Sequence, residues 1–220
     1  MREFLYEGNL LDWVRSRPIL RDAMQCAGGE RPDYLASLYK YCRDLLPNGA
    51  LVVEIGTYLA ESTVVMGHAL KQHGSRLITI DPVFMTGEYI SPDAHNKQGN
   101  HYRSTVLDFE RKIRANRLHP YVSMIPTFSE NVLSGWDCPI DAVVVDGEHT
   151  YQAIQHDCGW LRWVKPGGYA IFDDWFNEIE RSVKDFISDK PEWTILHEST
   201  WKATEEYCVT ILQKSKENHG

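Results

Sequence analysis

A doubly wound α/β fold with a mostly parallel sheet is what this sequence predicts, on three observations. Short apolar runs alternate with segments of helical periodicity from Leu51 onward. The stretch from Asp141 to Trp175, DAVVVDGEHTYQAIQHDCGWLRWVKPGGYAIFDDW, reads as strand, acidic turn, helix, Pro-Gly-Gly turn, strand, acidic turn. A unit of that length is a right-handed crossover, so its two strands point the same way. Finally, the apolar runs end on Asp81, Asp146 and Asp173-Asp174, which gathers carboxylates on the sheet edge where open α/β folds bind ligands.

In chain order, residues 1–30 form an accessory segment of short amphipathic turns, broken by Pro18 and closed by Gly28-Gly29. Pro32 to Leu46 is predicted helical, with Leu35, Leu38, Tyr39, Cys42 and Leu46 on one side. Residues 1–46 are read together as a helical cover; a flap over the site or a contact between copies of a homo-oligomer is the sharper alternative. The remaining domain, 47–220, opens after the Pro47-Asn48-Gly49 turn, and the whole chain is read as one globular domain. Leu51 to Ile55 is the first buried strand, followed by Gly56-Thr57-Tyr58 and a helix from Glu61 to His73. Arg76 to Ile80 is the second strand. The interval 83–103 holds glycines, Pro92, His95 and His101 without periodicity; so long a connection inside a domain suggests a substrate lid.

Ser104 to Asn116 is the next helix and Tyr121 to Ile125 the third strand, with a short helix beginning at Ser129. The run Val143-Val144-Val145 suits a strand buried on both faces. Tyr151, Ile154, Cys158 and Leu161 give the following helix one apolar face, and Lys165 to Gly168 stops it. Tyr169 to Phe172 restarts a strand, and Trp175 to Ser188 is helical. Trp193 to Leu196 and Tyr207 to Leu212 are too close in sequence for a crossover helix, so they pair antiparallel. The tail from Lys214 is polar and expected to fray.

Composition bounds the function. With 220 residues, 43% hydrophobic and 25% charged, the chain is an ordinary soluble globular domain. A net charge of −8 argues against a nucleic-acid partner. The five cysteines are unclustered and show no CxxC spacing, which fits reduced thiols and a cytoplasmic location. No apolar run approaches a membrane span.

Individual motifs have bland readings beside sharper ones. Gly56 after a buried strand permits a tight turn and close approach to a ligand, although any strand-to-helix turn could use it. The pattern is not GxGxxG, since Leu59 stands where a second loop glycine would fall, and this disfavours a nucleotide-dependent reductase. Asp81 is placed to accept both hydroxyls of a ribose, or else is a solvent-facing Asp before Pro82.

The motifs Glu54-Ile-Gly-Thr-Tyr-Leu-Ala-Glu-Ser62, Leu77-Ile-Thr-Ile-Asp81 and Asp141 to Trp175 together resemble the class I S-adenosylmethionine-dependent methyltransferases. More narrowly they resemble the divalent-metal-dependent small-molecule O-methyltransferases acting on catechols, caffeoyl-CoA and macrolide sugars. The resemblance implies a Rossmann-like, doubly wound, seven-stranded sheet whose last strand is antiparallel. It implies S-adenosylmethionine as cofactor, with Gly56 and its neighbours Glu54, Thr57, Tyr58 and Ser62 at the methionine part, Asp81 on the ribose, Ser129 and Glu130 near the adenine, and Asp146 at both cofactor and metal.

Asp146, Asp173 and Asp174 would repel one another unless neutralised, and hard oxygen donors select Mg²⁺, Mn²⁺ or Ca²⁺. Asp174 as a helix cap and Asp146 as a turn-former are the plainer readings. Catechol-type enzymes carry Asn at the place of Asp174, which leaves open whether Asp174 or Glu148 completes the set. His149 stands where they carry a catalytic lysine, and imidazole suits a base near neutral pH. Trp136, Trp160, Trp163 and Trp175 read as core or rim packing, and Trp175, directly after the acidic pair, is the one placed to touch substrate. The expected activity is methyl transfer to a hydroxyl of a small sugar or natural-product acceptor. A non-catalytic cofactor-binding or interaction subunit is the alternative.

Overall fold

The structure is a computed structural model that describes residues 32–83, 105–174, 177–198 and 209–216. The accessory segment 1–30, the 83–103 interval beyond Val83, Trp175 and the end of the tail lie outside the described residues. Helix α1 is Pro32–Asp44. Strand β1, Leu51–Ile55, is followed by α2, Glu61–Lys71, and β2, Arg76–Ile80. Then come α3, Val106–Ala115; β3, Val122–Ile125; α4, Ser129–Leu133; and β4, Ile140–Val145. Helix α5, Tyr151–Asp157, runs into a 3-10 helix, Cys158–Trp163, before β5, Val164–Phe172. Helix α6, Asn177–Ile187, and strands β6, Trp193–Glu198, and β7, Thr210–Lys214, complete the set.

The seven strands form one sheet in the order β3-β2-β1-β4-β5-β7-β6. Every pairing from β3 through β5 is parallel, and β7 runs antiparallel to both β5 and β6. This is the seven-stranded doubly wound sheet with one reversed last strand that the sequence implied. The order reverses between β1 and β4, and ligands of open α/β sheets bind at that switch point, beyond the carboxyl ends of the strands.

Strand parity builds two cores. Val52, Ala142, Val144 and Ile171 face the layer of α1, α2 and α3, packing with Leu35, Leu38, Met66 and Phe109. Val53, Val143, Val145 and Phe172 face α5, the 3-10 helix and α6, packing with Ile154, Trp160, Ile179 and Val183. Helix α1 thus contributes to the same core as the sheet. Among the described residues Cys42, Cys138 and Cys158 are free thiols, and no helix is long and apolar enough to cross a membrane.

Three local readings change. The helix after Tyr151 is not continuous: it tightens into 3-10 geometry at Cys158. Lys165 to Gly168 does not separate helix from strand as a free turn. It lies inside β5 as a bulge, because Ile140 pairs with Val164 and Ala142 with Tyr169. The bulge is held by Lys165 Nζ, which donates to both Asp141 carboxylate oxygens at 3.0 and 2.9 Å, and Asp141 Oδ2 also accepts from Leu51 N at 2.8 Å. Gly167 takes the left-handed conformation (φ +80°) that the excursion requires. The reversed strand also begins later than expected, at Thr210.

Candidate functional site

The carboxyl edge is assembled by continuing the parallel ladders one residue past each strand. Gly56 N donates to Ile80 O at 2.9 Å, Asp146 N to Ile55 O at 2.9 Å, and Asp173 N to Val145 O at 3.1 Å. Gly56, Asp146 and Asp173 therefore sit side by side on β1, β4 and β5. Gly56 has φ +90°, and a Cβ there would lie 2.0 Å from the backbone oxygen of Asp146. Only glycine lets the tips of β1 and β4 come this close.

The loop after Gly56 is strained, with Tyr58 at φ 42° and Ala60 at φ 64°. Its compensation is Asp81. One oxygen, Oδ2, accepts from Thr57 N and Tyr58 N, both at 2.9 Å, and Oδ1 accepts from Val83 N at 2.6 Å. Successive N–H groups in such a loop form an anion-binding concavity, and here the protein's own carboxylate fills it. A carboxylate offers about four lone-pair sites, so Asp81 retains acceptor capacity for a ribose hydroxyl.

Glu54 and Ser62 face inward. Glu54 is fully buried and accepts from Ser62 Oγ and Thr63 Oγ1, each at 2.7 Å. Burial pushes its carboxyl up to about 7, against the opposing pull of the Thr63, Thr79 and Ser62 hydroxyls. Both side chains brace the start of α2 rather than line an open cleft. Thr57 is also buried, its hydroxyl against that of Thr79, whereas Tyr58 is 45% exposed.

On the opposite face of the sheet from α2, Ser129 is buried at the start of α4 and donates its hydroxyl to Asp157 Oδ1, while Glu130 is exposed. Burial drives the Asp157 carboxyl up to about 6, partly offset by that hydrogen bond. Phe128, immediately before Ser129, is 54% exposed.

The three carboxylates expected to share an ion are divided. Parity sends the Asp146 and Asp173 side chains toward the α1 layer, because Val145 and Phe172 before them face the opposite core. Both charges act on the phenol of Tyr34, whose hydroxyl donates to Asp146 Oδ2 at 2.8 Å. Asp174 takes φ 50° and turns to His149, with 3.5 Å between Oδ2 and Nδ1. The other ring nitrogen, His149 Nε2, is shielded from solvent and has no hydrogen-bond partner in the protein. Among the described residues no group of three or more His, Cys, Asp or Glu is arranged to hold a metal ion.

Tyr34 was not among the residues singled out from sequence. It lies four positions before Leu38 and eight before Cys42, on the buried stripe of α1, so its pattern is that of a core residue. Its hydroxyl was the one available signal, since a buried phenol seeks a partner.

Comparison with known proteins agrees with this arrangement. An uncharacterized protein, R132, of Acanthamoeba polyphaga mimivirus is 27% identical over 143 residues, covering 62% of this chain and 59% of that protein. The match thus spans less than two thirds of that relative's length. Among solved structures, the O-methyltransferase TomG from Streptomyces achromogenes, involved in tomaymycin synthesis and crystallised with SAM, superposes with a TM-score of 0.66 at 16% identity, over 90% of each chain. An O-methyltransferase from Bacillus cereus in complex with SAH gives 0.61 at 15% identity, over 96% of this chain and 94% of that one. A putative rRNA-methylase from Clostridium thermocellum gives 0.62 at 16% identity, over 84% and 97%. These likenesses establish the Rossmann-like class I methyltransferase fold. The methyltransferase-domain family pattern matches residues 53–175, more than half of the chain and the whole run from β1 to the turn after β5, and by that match the chain belongs to the methyltransferase-domain family.

Proposed function

We propose that the protein transfers a methyl group from S-adenosylmethionine to a hydroxyl of a small molecule. The observation that carries this reading is the Gly56–Ala60 loop, held by Asp81 against the tip of β4 at the switch point of the sheet. Support also comes from family membership and from the likeness to two O-methyltransferases bound to SAM and SAH. The net charge of −8 favours a small acceptor over RNA, despite the likeness to a putative rRNA-methylase.

The residues fit such a cofactor: exposed Tyr58, half-buried Asp81 and exposed Glu130 stand along the carboxyl edge, at the ends of β1, β2 and β3. When bound, S-adenosylmethionine supplies a methyl group activated by its sulfonium. The chain's part is then to align the acceptor and take its proton. His149 is the group for the second task, because Nε2 is unpartnered while Nδ1 is directed toward Asp174. Alignment of nucleophile and methyl carbon can contribute on the order of 7–11 kcal/mol.

The oxygens of Asp146, Asp173 and Asp174 are of the hard type that Mg²⁺, Mn²⁺ or Ca²⁺ prefer. The three side chains do not converge, however, since Asp174 turns to His149, so the described geometry does not fit a shared ion. The test is transfer of labelled methyl from S-adenosylmethionine to a panel of sugars, polyketides and catechols, with and without EDTA. Transfer abolished by EDTA and restored by Mg²⁺ establishes the ion; full activity in EDTA removes it. No transfer to any acceptor, alongside tight S-adenosylmethionine binding, favours a non-catalytic subunit.

A further inference from the structure

We infer that Tyr34 is a positioning residue that sets the orientation of the Asp146 carboxylate, and through it the affinity of the site for its cofactor. This rests on the reading that S-adenosylmethionine occupies the carboxyl edge of the sheet.

Asp146 is fixed twice through its backbone. Its N–H is bonded to Ile55 O at 2.9 Å, and its carbonyl faces the Cα of Gly56 with no room for a side chain between them. Neither contact determines where the carboxylate points. The Tyr34 hydroxyl, 112 residues away, binds the carboxylate itself, on Oδ2 at 2.8 Å. The tyrosine ring is 3% exposed and packs in the core shared by α1, α2 and the sheet, so its hydroxyl is delivered by a rigid element. A phenylalanine would fill the same core space. The added hydroxyl therefore acts at its end, where a charge-assisted hydrogen bond to a carboxylate is stronger than one between neutral groups.

The phenol is suited to donating and not to accepting a proton. Burial foremost, and then the Asp146, Asp173 and Glu54 charges, hold its pKa well above the ordinary tyrosine value. Helix α1, which packs as a cover, consequently contributes one side chain to the ligand-facing edge.

The test is calorimetric titration of S-adenosylhomocysteine into wild type, Tyr34→Phe, Asp146→Asn and the double variant, at a temperature where circular dichroism shows all four folded. Tyr34→Phe should weaken binding roughly 5- to 10-fold, the loss expected for one hydrogen bond to a charged group. In the Asp146→Asn background the same change should alter affinity by less than about 2-fold, because its acceptor charge is gone. Equal binding by wild type and Tyr34→Phe overturns the proposal, as does an equal loss in both backgrounds. A wild-type chain that binds no S-adenosylhomocysteine overturns the reading of the site, and this proposal with it.

Discussion

Gly56 and Glu54 mark the two ends of what a single residue does at this edge. Gly56→Ala would drive a methyl group to 2.0 Å from the Asp146 carbonyl oxygen, against backbone that cannot yield. A loss of stability on the order of 3 kcal/mol or more is expected in urea titrations. Glu54 carries a pH signature. Its carboxyl rises from 4.5 unfolded to about 7 folded, so the folded chain holds an extra proton between those values and stability falls as pH rises through that window. The cost is about 3 kcal/mol by pH 7 and above. Glu54→Gln should flatten the pH dependence of the melting temperature between pH 5 and 8, and an unchanged slope would contradict the assignment. Mechanistically, His149→Ala should lower kcat by about 10²- to 10⁴-fold while leaving S-adenosylhomocysteine affinity within about 2-fold; loss of binding with preserved kcat would remove His149 from the role of base. At this scale the sequence was informative for Gly56, whose backbone demand is local, but it did not announce that Asp81 binds the Thr57 and Tyr58 N–H groups more than twenty residues away. It was silent on the pairing of Asp174 with His149, because a positive φ redirects a side chain in a way that residue type does not announce. Tyr34 was hidden for a different reason: the buried stripe that carries it is indistinguishable from core until the neighbour of its hydroxyl is known.

Strand β5 shows how an element absorbs what its sequence suggests is a break. Pro166, Gly167 and Gly168 are turn formers, yet what they make is a bulge through which β5 continues. The reason lies outside the segment: Asp141 on β4 binds Lys165 on one side and Leu51 N on the other, pinning the start of three neighbouring strands. Gly168 is the tight position, since a Cβ there would meet Asp141 O at 2.6 Å. Gly168→Ala should lower the melting temperature by about 4–10 °C, corresponding to ~2–3 kcal/mol, whereas Gly135→Ala, in open space, should change it little. Equal effects would show that the bulge is not under the constraint described. Strand and helix types followed from apolar periodicity, and their ends did not, because terminal residues are decided by tertiary hydrogen bonds of this kind.

For the whole molecule, the consequence of the fold is that residues from positions 34 to 174 meet on one sheet edge. Parallel strands with right-handed crossovers put every strand's carboxyl end on the same side, so the location of the site could be read from strand order alone. Which carboxylates share a face could not, since that depends on strand parity continued past the last ladder bond. The central claim is that this edge is an S-adenosylmethionine site organised by Asp81. Its most direct measurement is titration of S-adenosylhomocysteine into wild type and Asp81→Ala, with NADH titrated in parallel. One ligand should bind per wild-type chain, Asp81→Ala should bind at least about tenfold more weakly as the loop loses its two backbone hydrogen bonds to the carboxylate, and NADH should not bind. Undiminished binding by Asp81→Ala, or a preference for NADH, would contradict the account.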